Sequence, residues 1–325
     1  MFLYQDNHKE ILPAGFSWLD KEPAFNPDIH LALEAPEVIE TLADFGYDEE
    51  AIAQCPSDFA VSSIFRVMSD EGAACLLEVC RQLSDFTSSN ARIDRNTRGG
   101  VYRSRFLRDL CLSPDVTAFM SQIAKVDLLP HSIGHQLGHL NYNPFEVGKN
   151  VDKWHVDTLR YDYVMFVTDP TQVDGGEFQY FKGTKDEMAE FVKTGQNVPA
   201  ERVVSPAMPG PGYAVMQQGN MVVHQAKGLR EDGERITMVN GYVAADARIP
   251  DFTRYDQLRL VDPAHIATSE YAQHMGVLAQ RMISQAGFVD DDAVHVKNLR
   301  DAASRLIAAA DEIEQTTETE MDHYG

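Results

Sequence analysis

The interval at which apolar side chains recur changes twice along this chain. Through residue 126, "APEVIETLADFGYDEEAIAQC" and "SDEGAACLLEVCRQLSDF" space them three and four apart, the interval of an amphipathic helix. "SPDVTAFMSQIAKV" predicts a further helix, with Ser113 as N-cap and Pro114 in its first turn. From 127 to 250 the chain turns to short runs rich in Val, Tyr, Phe and Met, broken by turn chemistry such as "DPTQVDGG" and "PAMPGPG". Six of these runs predict strands: "HSIGHQLGHLNYN", "LRYDYVMFVTD", "GEFQYFKG", "GYAVMQQ", "MVVHQAK" and "RITMVNGYVAA". One helix, "TKDEMAEFVK" capped by Thr184, interrupts them. Beyond 250 the helical interval returns as two stripes, Tyr271, Met275, Leu278 and Met282, then Leu299, Ala303, Leu306, Ala310 and Ile313. Both are expected to bury against the strand core, and either could serve as a homodimer contact.

Nowhere do strands alternate with crossover helices, so the pattern predicts an α+β fold and excludes a parallel sheet. Many short strands with Gly and Pro turns favour a sandwich or barrel, and a jelly roll is the compact way to close them. The expected organisation is one catalytic domain over 1–325. A helical scaffold (1–126) precedes a strand core (127–250), and C-terminal helices (251–325) follow.

Composition narrows the partners. The 325 residues are 44% hydrophobic and 24% charged, the make-up of a globular protein. Lys and Arg number 28 against 50 Asp and Glu, a net charge of −22. A field of that sign repels phosphate backbones and anionic lipid, which argues against nucleic-acid and membrane partners and for a small-molecule substrate held in a local pocket. No apolar run approaches the ~20 residues of a spanning helix. Asp6 and Lys9 interrupt the stretch an export signal would need, so a cytoplasmic location is expected. Cys55, Cys75, Cys80 and Cys111 include no C-x-x-C pair and are expected as free thiols.

Within "KWHVDTLRYDYVMFVTDP", His155 and Asp157 lie two apart and project to one side of an extended chain, while Val156 takes the other. A lone H-x-D is weak evidence. His224 ends an apolar run downstream, however, and Arg235 opens the next, with Thr237 two residues on. Two imidazoles and a carboxylate hold a metal from one side and leave positions open for chemistry; the set suits non-haem Fe(II), and a zinc hydrolase could use it too. Arg235 separates the two, because a planar guanidinium matches a carboxylate with two parallel hydrogen bonds and a zinc hydrolase would not need it.

The series His155, x, Asp157, a long spacer, His224, a short spacer, Arg235, x, Thr237 resembles the Fe(II)/2-oxoglutarate-dependent dioxygenase superfamily over roughly residues 127 to 245. "DGGEFQYF" from Asp174 to Phe181 is similar to the turn and strand that many hydroxylases of that superfamily place after the first ligand strand. The resemblance implies a double-stranded β-helix, or cupin-like jelly roll, flanked by N- and C-terminal helices. It implies Fe(II), 2-oxoglutarate and O2 as cofactors, with succinate and CO2 as coproducts. Metal ligands would be His155, Asp157 and His224, with no catalytic side chain beyond the metal centre. Arg235 and Thr237 would hold 2-oxoglutarate, with Asn141 and Tyr142 of the preceding strand beside them.

In "RGGVYRSRFLRD", Arg103 and Arg105 resemble an R-x-R by which free-amino-acid hydroxylases and halogenases grip a substrate carboxylate; a solvated basic patch is the competing reading. His139, Trp154 and Thr158 are further candidates for lining the substrate pocket. Asp157 stands where those halogenases have Gly or Ala, which points to hydroxylation of an unactivated C–H bond rather than chloride transfer. Desaturation or cyclisation by the same centre, a cupin-type Zn or Mn hydrolase or isomerase, a protein-modifying hydroxylase and a non-catalytic barrel are the alternatives. His131, His135 and His139 share a face of "HSIGHQLGHLNYN", but residues four apart on a strand lie ~13 Å apart, too far for one ion. Hydrogen-bonded or pocket-lining roles are expected there.

Overall fold

The computed structural model describes residues 12–90, 92–285, 287–317 and 324. Among these, the strands in chain order are Leu31–Glu34 (β1), Ile39–Thr41 (β2), Phe59–Ser62 (β3), Phe65–Met68 (β4), Asn96–Thr97 (β5), Leu128–Pro130 (β6) and His139–Tyr142 (β7). There follow Asp152–His155 (β8), Tyr161–Phe166 (β9), Phe178–Phe181 (β10), Val203–Val204 (β11), Tyr213–Gln217 (β12), His224–Ala226 (β13) and Ile236–Ala244 (β14). Ten form one sheet along the path β1-β4-β12-β9-β14-β7-β5, with β3 also on β12, β2 on β3 and β6 on β14. Four form a second sheet, β11-β10-β13-β8. The neighbours in the sheets run antiparallel. From β7 onward the chain passes back and forth between the sheets, which brings residues distant in sequence onto facing surfaces.

Alternation along β9 shows how the layers are held. Tyr161, Tyr163 and Met165 join a core beneath helices Asp70–Leu83, Arg105–Cys111 and Pro114–Ala124. Val164 and Phe166 point the other way, into a second core shared with Phe178 and Tyr180 of the small sheet. β9 is therefore buried on both faces. Its register is set from both sides, Met165 lying opposite Ala214 of β12 and Met238 of β14. The expected helices carry their expected caps. Ser69 accepts from the Gly72 N–H, Ser113 from the Val116 N–H, and Thr184 and Glu187 exchange bonds as a capping box before Lys185–Thr194.

Three expectations are corrected. The first 126 residues are not mainly helical, since β1 to β5 lie there and belong to the large sheet. In "IETLADFGYDEE" the spacing of Leu42 and Phe45 yields one 3-10 turn, which Gly46 ends at φ 88°, and β-branched Ile39 and Thr41 pair with β3 instead. "HSIGHQLGHLNYN" is not one strand: a turn at Gly134–Gln136 and Gly138 at φ 55° confine the strand to β7. The second C-terminal stripe is not buried. Helix Asp292–Gln315 packs on Ala264–Ser284 through Ala302 and Ala309, leaving Leu299 54% and Leu306 44% exposed. Glu312, bonded to the Tyr255 N–H and the Tyr271 hydroxyl, holds that rotation. The first stripe is buried as expected at Tyr271, Met275 and Leu278. No helix among the described residues is long and apolar enough to cross a membrane.

Candidate metal centre and its cavity

β8 and β13 are neighbours in the small sheet, with His155 opposite His224. Asp157 lies just beyond β8, its N–H bonded to the Gly219 carbonyl at 2.9 Å. Alternation holds through this stretch, because Trp154 and Val156 pack on the outer side beside Phe181 and Met188. His155 Nε2 stands 3.4 Å from Asp157 Oδ1, and His224 Nε2 stands 3.2 Å from Asp157 Oδ2. The three donor atoms lie within 4.8 Å of one another. Each imidazole is oriented from behind, His155 Nδ1 donating to the Lys153 carbonyl at 2.6 Å and His224 Nδ1 to the Val222 carbonyl at 2.9 Å. Both Nε2 atoms are thereby the basic nitrogens, the tautomer a metal requires.

The charges around the cluster reinforce one another. Burial would raise the Asp157 pKa, but His224 and His155 outweigh it and hold the carboxyl well below its usual range. Asp162 has the opposite fate: burial, then the Asp157 charge, pushes its pKa well up. Gln217 connects the two, its Nε2 3.1 Å from Asp162 Oδ1, 3.1 Å from His224 Nε2 and 3.5 Å from Asp157 Oδ2. Arg92 reaches in from the segment before β5. Its guanidinium pairs with Asp152 at 2.7 Å and Asp157 at 3.4 Å and touches His155 Nε2. An ion and this guanidinium are thus alternative partners for the same donor atoms.

Arg235, 1% exposed, is built into the opposite wall from the large sheet. Its Nε donates to the Gly176 carbonyl at 2.9 Å and Nη1 to Thr237 Oγ1 at 3.1 Å. The carbonyl is aimed by the two-glycine turn, with Gly175 at φ 90° and Gly176 at φ 76°, conformations that favour glycine. Nη2 is buried with no partner among the described residues. Burial brings the Arg235 pKa down to about 10, so the group stays cationic at neutral pH. Asn141 of β7 sits opposite Thr237 with its Oδ1 likewise unpartnered.

A cavity of about 740 Å³ takes in the three candidate ligands together with Arg235, Thr237 and Asn141. Thr158 and His139 also line it; burial, then Arg98, pushes the His139 imidazole well down. Four expected site residues lie elsewhere. Tyr142 alternates to the helical side, where its hydroxyl donates to the Cys80 carbonyl. Trp154 is on the outer side of β8. Arg103 stacks on Phe16 and Phe86, and Arg105 pairs with Glu22 over the Trp18 ring, so the R-x-R ties down the N-terminal segment instead of facing the cavity.

His135 is held by Glu270 at 2.9 Å. His131, Asp251 and His274 form a second group within 4.8 Å. The Ile133 N–H donates to His131 Nδ1, however, which leaves the proton on Nε2, 3.2 Å from Thr253 Oγ1. That hydrogen bonding opposes metal ligation. Arg92, Arg160, Asp162 and Gln217 escaped the sequence reading. For the last two a signal existed, since a polar residue inside an otherwise apolar strand is out of place unless it faces a site.

The donor set fits a first-row divalent metal: two nitrogens oriented from behind and one carboxylate, lining one cavity. No protein-family model and no curated protein sequence matches the chain. Among solved structures it is similar to EctD from S. alaskensis with 2-oxoglutarate and 5-hydroxyectoine, at 14% identity over 71% of this chain and 87% of that one, TM-score 0.43. A prolyl 4-hydroxylase from Phytophthora capsici gives 16% identity over 78% and 82%, TM-score 0.40. SnoK, a non-heme alpha ketoglutarate dependent carbocyclase from nogalamycin biosynthesis, gives 17% over 64% and 87%, TM-score 0.39. The fold and the site on their own define a mixed helix and antiparallel-sheet protein carrying a two-histidine, one-carboxylate cluster beside a buried arginine.

Proposed function

We propose that this chain is an Fe(II)- and 2-oxoglutarate-dependent oxygenase whose strands β7 to β14 form a double-stranded β-helix. The observation that carries the reading is one cavity holding both the His155, Asp157 and His224 cluster and a buried guanidinium, Arg235, with an unpartnered donor. A hydrolytic metal site has no use for the second feature. The metal, with 2-oxoglutarate and O2, would supply the oxidising chemistry, with succinate and CO2 as coproducts. The protein's part is placement and exclusion of water. Arg235 receives the distal carboxylate of 2-oxoglutarate, Thr237 keeps the guanidinium aligned, and Asn141 offers a further polar contact. Gln217 connects Asp157 to Asp162 behind the cluster.

Asp157 supplies a protein carboxylate where a chloride would have to bind, which supports hydroxylation of an unactivated C–H bond. The substrate we propose is small, carboxylate-bearing and amino-acid-like. Four free cysteines suit the cytoplasm. The exposed stripe on helix Asp292–Gln315 we read as a homodimer contact.

Anaerobic titration of Fe(II)-loaded protein with 2-oxoglutarate tests the reading. A visible metal-to-ligand charge-transfer band and saturable binding are expected. In Arg235→Gln the affinity for 2-oxoglutarate should fall by about 2 kcal/mol, roughly thirty-fold, through loss of a charge-assisted pair. No band, or binding indifferent to Arg235, would reject it.

A further inference from the structure

Six Arg and Lys side chains line the cavity, and most are accounted for. Arg92 pairs with Asp152 and Asp157, Arg98 forms a two-pronged bridge to Asp262 at 2.6 and 2.8 Å, and Arg254 pairs with Asp256. Lys185 is half-buried at the rim, against Met221. Arg235 and Arg160 remain, and neither makes an ion pair among the described residues. Two buried guanidinium groups without an ion-paired acid among the described residues call for two anions, because a charge taken from water and left uncompensated is costly. Arg235 is assigned to 2-oxoglutarate.

Arg160 is 6% exposed. Its Nη2 donates to the Pro250 carbonyl at 3.1 Å, and its Nε and Nη1 are buried with no partner. The guanidinium lies 4.5 Å from the Phe252 ring centre, an arrangement that fixes its plane. The two arginines occupy opposite ends of the β9 and β14 ladder. Arg160 precedes Tyr161, which pairs with Tyr242, and Arg235 precedes the Thr237 that pairs with Phe166. Asp162, which shares the Arg160 face of the chain, leads through Gln217 to the metal ligands between them.

We infer that Arg160 is the receptor for a carboxylate on the substrate, held at the far end of the cavity from the 2-oxoglutarate carboxylate. Leu159, Phe252, Leu258 and Val261 line the cavity as well and suit an apolar body behind that carboxylate. The inference rests on the oxygenase reading only in naming the second anion a substrate; the anion site itself stands on the charge balance.

The test is calorimetric binding of straight-chain monocarboxylates from butanoate to decanoate, and of their amides, to the full chain with and without anaerobic Fe(II) and 2-oxoglutarate. The expected result is a chain length at which the carboxylate binds about ten-fold or more tightly than its amide. Arg160→Gln should erase that preference, Arg160→Lys should keep part of it, and Arg235→Gln should keep it while losing 2-oxoglutarate. Thermal unfolding of Arg160→Gln should match or exceed wild type, since the variant removes an uncompensated buried charge. No carboxylate preference at any length, or one that survives Arg160→Gln or vanishes with Arg235→Gln, overturns the assignment. If 2-oxoglutarate fails to bind while the preference follows Arg160, the oxygenase reading fails and the anion site stands.

Discussion

At Gly219 a single methyl group would reach the centre of the site. A Cβ there would run into Asp162 Oδ2 and come within 3.1 Å of Asp157 Oδ2, while the Gly219 carbonyl receives the Asp157 N–H. Gly219→Ala should therefore weaken divalent metal binding by about ten-fold, the usual cost of disturbing a group that orients a ligand, with little change in overall stability. Equal metal affinity by calorimetry would show that the carboxylates can yield. Asp251 offers a residue-scale test of stability. Burial works to raise its pKa, but His274 at 3.2 Å, then His131, outweigh burial and depress the folded value. Its contribution to stability is thus complete above the unfolded value of about 3.9 and is lost as the pH falls toward the depressed folded one. Denaturant midpoints measured between about pH 5 and pH 3 should drop less steeply in Asp251→Asn than in wild type; parallel slopes would mean another group governs the loss. His155 and Asp157 were readable because alternation puts them on one face, and Arg235 with Thr237 for the same reason. Asp162 and Gln217 were readable in principle as polar interruptions of buried strands. Arg92 was not, because its approach depends on how the segment before β5 crosses the sheet edge.

Elements were legible where one interaction sets them and illegible where two compete. Helices Asp70–Leu83, Pro114–Ala124 and Lys185–Thr194 combine a cap with a single apolar face, and each lies where the pattern puts it. "IETLADFGYDEE" carries the helical interval over only one turn, and the pairing of β2 with β3 decides its fate. Helix Asp292–Gln315 shows the limit of the stripe argument most plainly. It has two faces able to pack, and its small one, with Ala302 and Ala309, meets Ala264–Ser284, leaving the bulkier Leu299, Leu306 and Ile307 outside. Substituting Leu306 by Glu should cost less than about 0.5 kcal/mol of monomer stability, the scale of a surface change.

For the whole molecule that exposed stripe has a further use. An antiparallel pairing of two copies through Leu299, Leu306 and Ile307 would cover it. Sedimentation should then show a concentration-dependent dimer that Leu306→Glu abolishes; a monomer at every concentration would remove the homodimer from the proposal. Periodicity predicts a strand core with helical flanks, yet half of the large sheet's strands come from the N-terminal part. Pairing between β1 or β3 and strands far down the chain leaves no periodic trace. The candidate metal ligands are carried on or next to the small sheet, and Arg235 and Arg160 next to strands of the large one, so any molecule that spans from ligand cluster to guanidinium also laces one sheet to the other. Occupancy would then be felt as stiffness: the two leaves of the fold would behave as a closed book when filled and as covers free to flex when empty.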